Sequence, residues 1–168
     1  MPMSEYIKRL RARIGHDRLL LSTTAVLTYD ERNRVLLVRH GDVLRWTTPG
    51  GAIEPGERPA DAAVREMWEE TGLHVELTRV LGIYGGPEFD TTYSNGDLVT
   101  FVMVVFEGRR LAGDLRPDGE ETLEVRYFDR SEIATLEVQP WVPTVLEDGF
   151  DRDGRTRFVP SGWAPPQS

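Results

Sequence analysis

A single α/β domain is the fold class this sequence predicts, and three observations predict it. Short runs rich in Val, Leu, Ile and Thr recur along the chain, at Arg18–Tyr29, Arg34–His40, Val75–Gly85, Leu98–Glu107 and Leu123–Phe128, and such runs bounded by turn residues read as strands. Stretches of helical period alternate with them, chiefly Ser4–Ile14 and Pro59–Thr71. The 168 residues carry no internal repeat and no evident linker, so one core of ordinary size accommodates them.

In the first helix Tyr6, Ile7, Leu10 and Ile14 share one side. The turn Asp30–Asn33 separates the first two strands, which are expected to pair as a hairpin. Trp46–Pro49 then leads into Gly50–Gly51, a bend that glycine makes most cheaply. Pro59 suits the first turn of the next helix and Gly72 suits its C-terminal cap. Two strands follow, joined by the polar loop Thr91–Asp97, and a Gly- and Asp-rich loop, Leu111–Glu121, precedes the last strand. Ser131–Leu136 and Pro140–Leu146 read as short helices. From Glu147 the chain is rich in Gly, Pro, Asp and Arg and reads as a partly ordered extension, with Phe158–Val159 and Trp163 as docking points. We place the domain, with its N-terminal helix, at residues 1–150 and a surface tail at 151–168.

Composition excludes several functions. Apolar residues are 39% and charged residues 29% of the chain, with no apolar run near the ~20 residues of a membrane span. The N-terminus is charged and lacks the apolar segment of a secretory signal. There is no cysteine, hence no disulfide and no Cys-based zinc site, and the cytoplasm is the default location. A net charge of −8 argues against a nucleic-acid partner. It leaves room for a phosphorylated small molecule, because bound cations can invert the local field. Every basic residue but Lys8 is Arg, and Arg suits bidentate phosphate contacts.

The segment Gly51–Leu73 holds five glutamates, three of them (Glu66, Glu69, Glu70) within one helical turn. At about 100° per residue they occupy one arc, beside a second arc of Ala60, Ala63, Val64, Met67 and Thr71. Like charges at this spacing repel. Arg65 is the only Lys or Arg within Pro59–Thr71 and offsets part of the cluster at most. An acidic stripe bordering a buried one calls for compensation. Without cysteine, and with His16, His40 and His74 scattered and read as surface or structural, the consistent choice is an all-oxygen site for Mg²⁺ or Mn²⁺.

These residues carry a resemblance. Gly51, Glu57, Arg65-Glu66-Met67, Glu69-Glu70 and Gly72-Leu73 match every defined position of G-x5-E-x7-R-E-U-x-E-E-x-G-U, U being apolar. The segment resembles the Nudix (MutT-like) box, and WTTPGG before it and VRYF after an acidic loop fit the same family. The resemblance implies an α/β/α sandwich with a mixed sheet. It implies hydrolysis of a nucleoside diphosphate linked to another group, with Mg²⁺ or Mn²⁺ as cofactor. It implies metal binding by Glu66, Glu69, Glu70, supporting Glu57 and the Gly51 carbonyl, with Arg65 orienting the carboxylates. The family's general base varies, which leaves Glu66 and the loop residue Glu121 both as candidates, with Glu120 as the alternate to the latter. Glu54 is expected near the metals. A nucleotide-type small molecule is the implied partner, and a homodimer is compatible with it.

Outside the box the implications thin. Tyr84 and Phe89 lie where relatives contact the base, and Arg39, Arg45 or Arg126 could meet phosphate; Arg39, Tyr84 and Phe89 are the candidate substrate contacts. Trp46 reads as a packing residue beside the site. ADP-ribose-cleaving relatives carry a proline about fifteen residues past the box, and Pro87 follows Leu73 by fourteen. Signatures of the NADH- and coenzyme-A-cleaving branches are absent. The expected substrate is a (deoxy)nucleoside triphosphate, the alternative ADP-ribose or a nucleotide sugar. Some relatives bind nucleotides without cutting, usually after losing a helix glutamate; here all are intact.

Overall fold

The computed structural model describes residues 4–41, 44–119 and 121–165. The order is α1 (Glu5–Ile14), β1 (Leu19–Thr28), β2 (Val35–His40), β3 (Trp46–Thr47), β4 (Gly50–Ala52), α2 (Pro59–Thr71), β5 (His74–Tyr84), β6 (Asp90–Thr92), β7 (Leu98–Ala112), β8 (Thr122–Phe128), α3 (Arg130–Ile133) and α4 (Val142–Asp151). A mixed sheet runs β4-β1-β7-β5 with β6 also on β7, and a second sheet runs β3-β2-β8. In the mixed sheet β1 and β7 are parallel while β4, β5 and β6 join antiparallel.

Strand alternation builds a core on each side of this β layer. Ala25 and Leu27 of β1 and Val35 and Leu37 of β2 join Trp141, Val142, Val145 and Leu146 of the α4 region. Their neighbours Val26 and Leu36 point the other way, onto Ala63 and Met67 of α2. Helices on both faces thus follow from two strands whose every residue in these stretches is apolar and buried.

The expected β1–β2 hairpin does not form. Both edges of β1 are taken, by β4 and β7, and β2 instead pairs with β3 and β8. Among the described residues one isolated bridge, Tyr29 to Val35, is all that links them as a ladder. The strand expected to end at Glu107 continues to Ala112, because β5 supplies partners along its whole length. The tail also differs. Glu147–Asp151 belongs to α4, and Phe158, Val159 and Trp163 are 70%, 74% and 77% exposed. Docking comes from Arg157 instead. Its N–H donates to Leu81 O at 2.7 Å, its carbonyl accepts from Ile83 N at 2.9 Å, and its guanidinium meets Asp148, Asp151 and Asp153. This segment covers the outer edge of β5, an edge otherwise open to pairing.

Candidate active site

The site is built where β4 enters α2. Gly50 has φ of +152°, and a Cβ there would stand 2.1 Å from Thr24 O, so only glycine lets β4 lie this close to β1. Its N–H donates to Glu70 Oε2 at 2.9 Å, and His40 Nε2 meets Glu70 Oε1 at 2.7 Å. Pro59 opens α2 and Gly72 closes it in the left-handed region at φ 73°, with its N–H on Trp68 O. The helix buries Ala62, Ala63, Glu66, Met67, Glu70 and Thr71. The inward stripe is thus shifted from the expected one. Ala60 is exposed, Ala62 replaces it, and two of the three clustered glutamates turn inward.

Arg65 organises the carboxylates. It grips Glu57 with two parallel bonds of 2.9 Å. Its Nη1 donates to Glu66 Oε1 at 2.8 Å and to Glu69 Oε2 at 2.9 Å, and Nη2 reaches the Ala52 carbonyl at 3.2 Å. The fork geometry of guanidinium makes this possible where lysine would fail. The Arg65 hydrogen bonds hold Glu57 below the usual carboxylate range. Glu66 goes the other way. Burial first, then repulsion from Glu70 and Glu69, raise it from 4.5 to about 7 against the pull of Arg65. Burial also raises Glu121, with Asp118 and Glu70 adding to the effect, so the fold brings the loop carboxylate within electrostatic reach of the helix carboxylates. Glu120 lies outside the described residues. Glu54 offers its backbone N–H to Glu57 at 3.1 Å.

The donor set fits a hard divalent cation in its chemistry. The donors are all oxygen, and buried like charges already raise a proton affinity that a cation would relieve. In the present arrangement, though, Glu57, Glu66 and Glu69 face Arg65. Among the described residues no three acidic or histidine side chains stand at ligand spacing. Binding a cation therefore requires carboxylates to turn from the guanidinium, and Glu69, 54% exposed at its side chain, is the freest to do so.

A cavity of about 110 Å³ adjoins this cluster. Thr23, His40, Thr48, Gly50 and Gly51 line the end toward Glu70, and Tyr93, Phe101 and Trp141 are its aromatic lining. The hydroxyls of Thr23 and Thr48 are buried there with no hydrogen-bond partner among the described residues.

Three expected substrate contacts fall elsewhere. Phe89 is 2% exposed and packs in the core between Tyr84 and Trp141. Tyr84 is 5% exposed and donates its hydroxyl to Asp148 at 2.9 Å. Both apolar rings are drawn inward by the α4 side of the core, which corrects the reading of them as ligand contacts. Arg39 is held by Glu124 at 2.7 Å across β2 and β8. Arg126 lies over the Phe128 ring, at 4.1 Å, and Trp46 packs edge-on against the same ring, with centroids 4.6 Å apart. His40, read as surface or structural, takes the structural place, in contact with Glu70. Its place at a register break at the end of β2, where bulges re-aim side chains, was the one available signal, and that break needs the pairing of β2 with β8.

Residues 19–148 match the family model for the NUDIX domain. The chain belongs to the Nudix family. A MutT-like protein of Streptomyces ambofaciens is 43% identical over 139 residues, covering 79% of this chain and 82% of that protein. A Bacillus subtilis protein named provisionally as an 8-oxo-dGTP diphosphatase is 34% identical over 102 residues, covering 61% of this chain and 62% of that one, a little under two thirds of its length. A crystal structure of an ADP-ribose pyrophosphatase from Streptococcus suis superposes with a TM-score of 0.63 at 26% identity, covering 83% of this chain and 98% of that one. Nudix members are pyrophosphohydrolases that generally depend on divalent metals, and the mixed sheet between helices is their fold. No helix among the described residues of this Nudix domain is long and apolar enough to cross a membrane.

The elevated Glu66 carboxyl makes the cation-free Nudix domain pH-sensitive in a defined direction. Between about 4.5 and 7 the folded chain holds a proton that the unfolded chain has released. Stability then falls as pH rises through that window. Thermal melts in chelator, taken from about pH 5 to 8, should show this decline, and Glu66→Gln should flatten it. A flat parent profile would mean that Arg65 fully compensates the charge.

Proposed function

We propose that this Nudix domain hydrolyses a phosphoanhydride in a nucleoside diphosphate linked to another group, with a (deoxy)nucleoside triphosphate going to monophosphate and pyrophosphate as the preferred reaction. The observation that carries this reading is the continuity of the cavity with the glutamate cluster. An aromatic lining suited to stack a base runs into β4 and His40, which touch Glu70. At about 110 Å³ the cavity suits one flat ring system; pockets that enclose a drug-sized ligand start at ~300 Å³. The phosphates would then lie outside it, toward α2. The free Thr23 and Thr48 hydroxyls supply hydrogen bonds for a polar ring edge.

In this reading water attacks phosphorus, the bridging P–O bond breaks, and the oxygen leaves with one phosphate group. Glu66, buried among the helix carboxylates, or the loop residue Glu121 accepts the proton of the water. A divalent cation held by Glu57, Glu66, Glu69, Glu70 and the Gly51 carbonyl neutralises phosphate charge when bound. Arg65 keeps the carboxylates together and His40 fixes the orientation of Glu70.

A second reading, cleavage of ADP-ribose or a nucleotide sugar to AMP or its counterpart plus a sugar phosphate, is favoured by the Streptococcus suis relative and by Pro87, which opens a single helical turn at residues 87–89. All box glutamates are present, which disfavours a binding module without catalysis. We place the protein in the cytoplasm. The test is a panel of triphosphates, ADP-ribose and nucleotide sugars with Mg²⁺ and product analysis. Triphosphates should lead and give monophosphate and pyrophosphate. A preference for ADP-ribose of tenfold or more in kcat/KM, about 1.4 kcal/mol of transition-state binding, would establish the second reading. Orthophosphate release from monoesters alone would sink both.

A further inference from the structure

Helix α1 precedes the residues that match the Nudix model. It contributes little to the core, with Ile7 as its buried residue. Its polar attachments converge on one place, the turn joining β6 to β7. Arg11, 10% exposed at its side chain, donates to Leu98 O at 2.9 Å and stands 3.4 Å from Asp97 Oδ2. The same guanidinium ties down Asp17 O at 2.7 Å and Gly15 O at 3.1 Å, fixing the link from α1 into β1. His16 Nδ1 meets Asp97 Oδ1 at 2.7 Å, and Leu98 N donates to His16 O at 3.3 Å.

Asp97 is thus buried in a turn that would ordinarily be a loose, solvated tip. It closes that turn by accepting from Tyr93 N at 3.0 Å, while Tyr93 O accepts from Gly96 N at 2.9 Å. Asn95 Nδ2 adds a bond to Asp97 Oδ2 at 3.0 Å. Tyr93, at the other end of this short turn, lines the cavity. A buried Arg–Asp pair is a weak source of stability, since desolvation offsets much of its attraction. It is a strong source of fixed geometry, because losing one partner leaves the other charge uncompensated.

We propose that α1 is a clamp on the substrate cavity, with Arg11 and Asp97 as positioning residues that hold Tyr93 against the bound ring system. This deepens the nucleotide reading above and rests on it. Substrate touches Tyr93; Arg11 and Asp97 act through the backbone of the turn. The partners of Arg11 and Asp97 lie in the α1–β1 link and the β6–β7 turn and not among the α2 carboxylates, so the clamp governs binding and leaves turnover alone.

The test is a double-mutant cycle. Tyr93→Ala should raise KM for the preferred nucleotide about tenfold, with kcat within about twofold. Arg11→Ala should raise KM several-fold, and Arg11→Ala/Tyr93→Ala should be no worse than Tyr93→Ala alone. Additive effects, an unchanged KM in Tyr93→Ala, or a loss confined to kcat would overturn the clamp. Amide hydrogen exchange decides the same point without substrate. Exchange at Tyr93, Gly96 and Leu98 should quicken about tenfold or more in Arg11→Ala, with exchange in α2 unchanged. Unaltered exchange at the turn overturns the proposal. Should Arg11→Ala fail to fold, Asp97→Asn, which keeps the shape and removes the charge, gives the same readout. A parent protein inactive on every anhydride would defeat the function reading, and exchange would still judge the clamp.

Discussion

Glu66→Gln is expected to lower kcat by ~10²-fold or more, the scale of a lost general base, and to leave the fold intact. The carboxylate is 4% exposed and sits among the helix carboxylates. The amide keeps its shape and cannot take a proton. Arg65 retains both bonds to Glu57 and one to Glu69, and one member of a repelling group is gone, so melting of the cation-free protein should hold or rise. Glu121→Gln should be milder. The two rates, measured with melting curves beside them, separate the outcomes. A larger loss at Glu121 moves the base to the loop. A fall of more than a few degrees in the cation-free Glu66→Gln protein would make that residue structural.

Chelation is expected to abolish turnover, and Mg²⁺ or Mn²⁺ to restore it. The reason lies in the balance around α2. One guanidinium faces Glu57, Glu66 and Glu69, and Glu70 lies buried beside them. Four carboxylates exceed what one cation of that charge neutralises. A divalent ion should therefore also raise the melting temperature, corresponding to about 2.7 kcal/mol at a hundredfold excess over Kd. Glu69→Gln and Glu70→Gln should weaken that rise along with activity. Full activity in chelator, or no thermal shift, would remove the metal assignment.

Much of this was legible along the chain because it is local. The box from Gly51 to Leu73 carries its meaning in spacing, and helical period alone puts Glu66, Glu69 and Glu70 together. Gly72 as a cap and Pro59 as a first-turn residue follow from backbone chemistry. Strand runs were readable by composition. Their pairing was not, since β1 finds its partner in β7 about eighty residues away, and the nearer β2 joins another sheet. Turn residues suggest a hairpin; competition for both edges of β1 prevents it.

Side-chain destinations divide the same way. Phe89 and Tyr84 are aromatic and lie after the box, which suits a ligand or a core equally well on sequence grounds. Burial against α4 decided for the core, while Tyr93, Phe101 and Trp141 took the cavity. Within α2 the sequence could set three acids on an arc, yet only packing against β1 and β4 showed that Glu66 and Glu70 are enclosed and Glu69 is wet. By itself, then, the sequence determined the family, the acidic helix and its chemical demand for a cation, because those depend on residue type and short-range period. The tertiary structure alone decided that His40 meets Glu70, which carboxylates the orienting Arg65 holds at once, and that α1 is tied through Asp97 to the turn that carries Tyr93. Those contacts join residues that are, but for Arg65 and its neighbours, tens of positions apart, and chain folding sets such distances through sheet pairing and burial that no local pattern encodes.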